Sequence, residues 1–111
     1  MEARKRTLVM YQTKDGREPL TQWILSLRDR VAAAQIAARI DRLILGAFGD
    51  CRSVGEGVSE MRIDYGPGYR IYFGEDGPII VVLLCGGDKR LQPRDIRAAK
   101  YFWRDYKERK S

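Results

Sequence analysis

The sequence predicts an α+β fold, and three observations predict it. Apolar residues recur at helical spacing from Leu20 to Leu45 and again from Ile96 to Tyr106. Between Val58 and Gly74 they alternate instead, with the two-residue period of a half-buried strand. The run Ile79-Ile80-Val81-Val82-Leu83-Leu84 has neither period, which suits a central strand covered on both faces. Helical segments on either side of a block of strands imply a helical hairpin and a C-terminal helix packed on a small, mostly antiparallel sheet. Residues 1–111 are read as one domain, because a chain of 111 residues cannot supply two independent cores.

Thr7-Leu8-Val9-Met10-Tyr11 is β-prone and runs into the turn signal Lys14-Asp15-Gly16, giving a first strand. Pro19 then opens a helix, since its fixed φ suits the first turn and its missing N–H would have no partner there. Leu20, Trp23, Ile24 and Leu27 form the apolar stripe of that helix. Arg28-Asp29-Arg30 links it to a second helix from Val31 to Leu45, with Ala33, Ile36, Ala37, Ile40, Leu43 and Ile44 as its stripe and Gly46 and Gly49 as stops. So short a link predicts an antiparallel pair. Phe48 to Gly57 is weakly patterned and reads as a loop with a short strand.

Val58–Tyr65 and Tyr69–Gly74 form two strands around the tight turn Gly66-Pro67-Gly68. Met61, Ile63 and Tyr65 share one face of the first, and Tyr69, Ile71 and Phe73 one face of the second. Glu75-Asp76-Gly77 turns the chain into the continuous apolar strand, which breaks at Gly86-Gly87-Asp88-Lys89. That glycine pair lacks the spacing of a phosphate-binding P-loop and reads as a turn carrying a functional lysine. The last helix starts near Pro93, with Ile96, Ala99, Trp103 and Tyr106 inward and Arg97, Lys100, Arg104 and Lys107 along a basic flank. Trp23 and Trp103 lie on apolar stripes, so both read as core anchors.

Composition narrows the chemistry. The chain has no histidine, which removes the commonest general base and the histidine-assisted nucleophiles. Cys51 and Cys85 lack metal-ligand spacing and read as free thiols, so neither a metal nor another cofactor is expected. The longest apolar run, Pro78 to Cys85, is too short to span a bilayer, and no secretory h-region follows Met1-Glu2-Ala3-Arg4-Lys5-Arg6. A cytoplasmic protein without membrane partners is the expectation. The net charge of +6 is concentrated: Lys89 to Ser111 carries nine Lys or Arg against three acids, while the remainder balances twelve against twelve. Such a segment attracts nucleic acid or an acidic protein partner, or it is simply a solvated helix face.

Alternation sends Glu60, Arg62, Asp64, Arg70 and Tyr72 to the sheet face opposite the Met61 and Ile71 side. Arg62 and Arg70 lie on neighbouring strands, and Lys89 or Arg90 follows the third. This set suits a phosphodiester: guanidinium groups bind non-bridging oxygens in pairs, and a lysine adds a point charge as negative charge develops. Tyr72 would stack on a base or donate to the phosphate. The bland alternative pairs Arg62 and Arg70 with Glu60 and Asp64 across a solvated sheet.

Val58-Ser59-Glu60-Met61-Arg62-Ile63-Asp64-Tyr65-Gly66-Pro67-Gly68-Tyr69-Arg70-Ile71-Tyr72-Phe73, followed by Leu83-Leu84-Cys85-Gly86-Gly87-Asp88-Lys89, resembles the signature of RelE/ParE superfamily toxins, in particular the HigB-like "addiction module killer" group. The resemblance extends over roughly residues 18 to 100. It implies a RelE-like fold and the toxin of a type II toxin–antitoxin system, a metal-independent, ribosome-dependent endoribonuclease that cuts messenger RNA and is held inactive in a hetero-oligomeric complex with a cognate antitoxin. It further implies that Arg70 stabilises the phosphate in the transition state, with Arg62, Lys89 and Glu60 as the other catalytic residues. Tyr72, Arg90, Arg94, Arg97 and Lys100 would contact RNA. The chain departs from the RelE pattern in carrying Glu60 where that type has a lysine, and in lacking a tyrosine early in the last helix, so Glu60, Asp88 and Asp95 are the candidates for proton transfer. The sister ParE group poisons DNA gyrase on a similar fold, which leaves a gyrase inhibitor, or an inactive antitoxin-binding relic, as the alternatives.

Overall fold

A computed structural model describes residues 5–110. The start of the chain, on which the expectation of no leader rests, and Ser111, the end of the basic segment, lie outside them. The elements follow in the order β1 (Thr7–Met10), α1 (Pro19–Ser26), α2 (Arg30–Ile44), β2 (Cys51–Gly55), β3 (Val58–Ile63), β4 (Tyr69–Asp76), β5 (Ile80–Asp88), a single 3₁₀ turn (Lys89–Leu91) and α3 (Gln92–Lys110). The α+β expectation holds. The strands form one five-stranded mixed sheet in the order β1-β5-β4-β3-β2, in which β1 runs parallel to β5 and the other neighbours are antiparallel.

Helices cover both faces. On one side Leu20 of α1 and Ala32, Ile36 and Leu43 of α2 pack with Met61, Ile63, Ile71, Phe73, Val81 and Leu83. On the other, Ala99 and Trp103 of α3 pack with Val58, Tyr72, Val82, Leu84 and Cys85. The continuous run in β5 is thereby explained, since Val81 and Leu83 feed one core and Val82 and Leu84 the other. The second sheet face is thus not a wholly open polar surface, because α3 lies across part of it. Each helix of the α1–α2 pair leans on the sheet rather than chiefly on the other: α1 on β5, α2 on β1 and β3. Among the described residues no helix is long and apolar enough to cross a membrane.

Local rules account for most boundaries. Pro19 opens α1, and Asp29 caps α2 by accepting from the amides of Val31 and Ala32 at 3.0 and 3.1 Å, a cap worth about 1 kcal/mol. The buried side of α2 is turned from the expected stripe: Ala32, not Ala33, is fully buried, while Ala37 and Ile44 are exposed. The many alanines of this helix leave its apolar face ambiguous, and docking on β1 and β3 decides it. Cys51 lies in β2 rather than in a loop; it and Cys85 are free thiols that burial pushes up to about 11 and about 12.

The Gly86-Gly87-Asp88 segment is strand, not a break. Leu84 is an extra residue opposite β4, which pairs Tyr72 with Cys85 but Phe73 with Leu83. The bulge reverses the alternation, so Gly86 faces α1 and Gly87 faces α3. A Cβ on Gly86 would meet the Trp23 ring at 2.4 Å, and one on Gly87 would meet Asp95 Oδ2 at 1.9 Å. Both glycines are therefore required by close approach of a neighbour rather than by a turn. The break comes one step later, where Asp88 caps the 3₁₀ turn by accepting from the Arg90 amide at 2.9 Å.

Candidate functional site

Arg62 of β3 stands directly across from Arg70 of β4, and Glu60 from Tyr72. All four lie on the α3 side of the sheet, opposite the Met61 and Ile71 core, as alternation predicts. Near the hairpin turn, Arg62, Arg70 and Lys89 line a single cleft of about 390 Å³, whose walls also carry Asp50, Asp64 and Gly66-Pro67-Gly68. Lys89 reaches the cleft because its amide donates to the Gly68 carbonyl at 2.9 Å, which pins the 3₁₀ turn to the hairpin turn. Gly68 has φ +84, and a methyl group there would touch Arg70 Nη1 at 3.7 Å and Lys89 Cβ at 3.8 Å. Three of the four residues expected to be catalytic are thus brought together.

Their electrostatic states differ. Arg70 is buried, with 9% of its side chain exposed, and its Nε faces Glu60 Oε2 at 3.5 Å, too long for a good hydrogen bond. Among the described residues its guanidinium has no other polar partner, so the two Nη groups on the cleft floor have donors to offer. A buried, incompletely paired cation is costly, and an oxyanion seated there would supply the missing acceptors. Arg62, 44% exposed, is instead engaged by Asp50 through Nε–Oδ2 at 3.2 Å and Nη2–Oδ1 at 3.3 Å. The bland pairing expected from the sequence is therefore half right: Arg70 faces Glu60, but the partner of Arg62 is Asp50, not Asp64.

Two site expectations are overturned. Tyr72 is fully buried and its hydroxyl donates to Glu60 Oε2 at 3.0 Å, so no RNA base can stack on it; burial, then the Glu60 charge, raises its phenol well above the usual range. Glu60 is fully buried too and lies behind the cleft rather than lining it, so it cannot touch a substrate seated there. Neither of the other proton-transfer candidates lines the cleft. Asp88 is held below its usual value by the Arg90 guanidinium, and Asp95 is packed against Gly87, where burial raises its carboxyl. The carboxylates that do face the cleft are Asp50 and Asp64, and Asp64 has no hydrogen bond or ion pair to a described residue.

The basic segment divides. Arg90 is exposed and paired with Asp88 at 3.1 Å, and Arg94 with Asp95 at 3.2 Å. Lys100 is turned away to Glu56 at 3.2 Å, and Lys107 lies over the Trp103 ring. Arg94, Arg97 and Arg104 share the outer face of α3 with Tyr101, which is 60% exposed. Spacings of three, four and three residues placed Tyr101 in that row, a signal the basic flank alone did not give. Asp50 was missed because it falls in the weakly patterned stretch before β2. Among the described residues no group of three or more His, Cys, Asp or Glu is placed to hold a metal ion.

No family model matches the chain. An uncharacterized protein of Haemophilus influenzae is 50% identical to it over 78 residues, which span 70% of this chain and 79% of that protein. The chain belongs to that protein's family. The shared segment is long enough to include most of the elements that build the cleft, and the chemistry of the cleft is what bears on function.

Proposed function

We propose that this chain is the toxin of a type II toxin–antitoxin pair: a RelE-like fold, with its helical hairpin and C-terminal helix, that cuts messenger RNA on the ribosome in the cytoplasm. The observation that carries this reading is Arg70, a buried guanidinium whose Nη donors lack acceptors among the described residues and which lines a cleft shared with Arg62 and Lys89. Three cations around one opening suit the phosphate of an RNA strand. In the reaction, a ribose 2′-oxygen bonds to the adjacent phosphorus while the bond to the 5′-oxygen breaks, leaving a cyclic phosphate and a free 5′-hydroxyl. Arg70 and Lys89 bind the non-bridging oxygens as their charge grows. Asp64 takes the proton of the 2′-hydroxyl, and water protonates the departing 5′-oxygen. Arg94, Arg97 and Arg104 contact ribosomal RNA, and a cognate antitoxin covers the cleft in the resting complex.

The test adds purified protein to a cell-free translation reaction and maps message ends by primer extension, with and without ribosomes. Cuts should require ribosomes, and Arg70→Ala should lower their rate by about 10²–10³ while the variant stays folded, the loss expected for one transition-state donor. Intact message with the unsubstituted protein, alongside altered DNA supercoiling by gyrase, would overturn this reading in favour of a ParE-like inhibitor.

A further inference from the structure

Among the described residues, the carboxylate behind the cleft is the buried one with the most protein donors. Glu60 Oε1 accepts from Arg52 Nε at 3.0 Å; Oε2 accepts from Tyr72 Oη at 3.0 Å and Gln92 Nε2 at 2.7 Å, and faces Arg70 Nε at 3.5 Å. These donors come from β2, β4 and α3, so a single side chain on β3 ties four elements together at the rear of the cleft. Stability alone explains this poorly, since a buried ion pair is often no more stabilising than apolar side chains of the same volume. Direction explains it better. With its Nε turned to Glu60, Arg70 keeps the end-on pair of Nη N–H groups, which point away from Nε, for the cleft that it lines. Gln92 extends the effect: it is the first residue of α3, and its own amide closes the 3₁₀ turn by donating to the Lys89 carbonyl.

We infer that Glu60 is the positioning residue of the cleft, aiming Arg70 directly and Lys89 through Gln92, so that both cations meet one phosphate. This rests on reading the cleft as a phosphodiester site, but its test does not depend on cleavage. The sign of one substitution decides it. Glu60→Gln keeps the shape and removes a negative charge next to a cation; electrostatics alone then makes anion binding tighter, whereas lost positioning makes it weaker.

The experiment titrates the full chain with inorganic phosphate and follows the Arg70 Nε–Hε signal by NMR, with thermal unfolding run in parallel. In the unsubstituted protein that signal should move on phosphate addition. Glu60→Gln should shift the starting signal and weaken phosphate binding about tenfold, because the buried ion pair that aims Arg70 is lost. Gln92→Ala, a milder change at the start of the helix, should weaken it about threefold in a protein that still unfolds cooperatively, and carries the test if Glu60→Gln does not fold. Equal or tighter phosphate binding in the folded variants, with the Arg70 signal unmoved, would overturn the inference. Weakened phosphate binding in a protein that cuts no message would support the positioning role while removing the nuclease reading. Undiminished cleavage by folded Glu60→Gln would do the reverse.

Discussion

Substituting Gly87 tests how the strand that carries the site is fitted to α3. A Cβ at this position would lie 1.9 Å from Asp95 Oδ2 and 2.8 Å from its Cγ. Ordinary contact begins near 3.4 Å, so the carboxyl must retreat by more than an ångström, beyond the few tenths that a packed interior gives freely. It has little room, because Asp95 is 6% exposed and Arg94 holds its Oδ1. Gly87→Ala should therefore cost about 2 kcal/mol, in the range for overpacking a close-packed site. That is a large share of the roughly 5–15 kcal/mol typical of a domain, and corresponds to a fall of about 8 °C in Tm. The assay is urea unfolding of Gly87→Ala, Asp95→Ala and the double variant. Removing the Asp95 carboxyl removes the obstacle, so the double variant should recover at least about 1 kcal/mol relative to additivity. A loss below about 0.5 kcal/mol for Gly87→Ala, or the same loss with and without Asp95, would refute close approach as the reason for this glycine.

Three further outcomes follow from the site. Asp50→Asn should release Arg62 and tighten inorganic phosphate binding roughly two- to fivefold, the scale of an exposed ion pair, and unchanged affinity by titration would show that Arg62 does not face the anion. Burial raises the Asp95 carboxyl, so the folded state holds that proton more tightly than the unfolded chain; ionised Asp95 then costs stability above its folded pKa, and the cost fades as pH falls toward the ordinary value. Asp95→Asn should accordingly be more stable than the unsubstituted protein at pH 7, with the gap closing in urea titrations near pH 4, about the reference value of an aspartate, and a gap that widens on acidification would contradict this. On the outer face of α3, Arg97→Ala should lower the slope of log affinity for ribosomal RNA against log salt by about 0.7, whereas Lys100→Ala, its amine engaged by Glu56, should leave the slope unchanged. Equal effects of the two would contradict the division of the basic segment.

The hairpin was legible because its signals are local. Period-two alternation and the Gly66-Pro67-Gly68 turn set the register that opposes Arg62 and Arg70. The apolar run of β5 likewise announced cover on both faces. What alternation cannot show is which part of a polar face a distant helix will cover. Glu60 and Tyr72 occupy positions that read as solvent-facing, and become interior because α3, beyond a further turn and strand, places Gln92 and Trp103 against that face. Asp50 enters the cleft from a stretch with no periodicity at all, and the glycines 86 and 87 resemble turn residues because nothing local shows that Trp23, from α1, and Asp95, from the next helix, press against them. Residues whose role depends on how another element docks were the ones misjudged.

The single extra residue at Leu84 divides β5 into two stretches that answer to different demands. Before it, phase is set by two oily layers and tolerates exchange among aliphatic side chains of similar volume. After it, phase decides which neighbour each glycine admits and where the chain stands when it reaches Asp88 and Lys89. Straightened with no residue lost, the strand would keep the first stretch in register and turn the second over, offering Gly86 to Asp95 and Gly87 to Trp23. The route by which this strand delivers a cation to the cleft therefore rests on the strand holding its extra residue out of the ladder at Leu84, and a chain one residue shorter there would reach Lys89 facing the same way with no bulge at all.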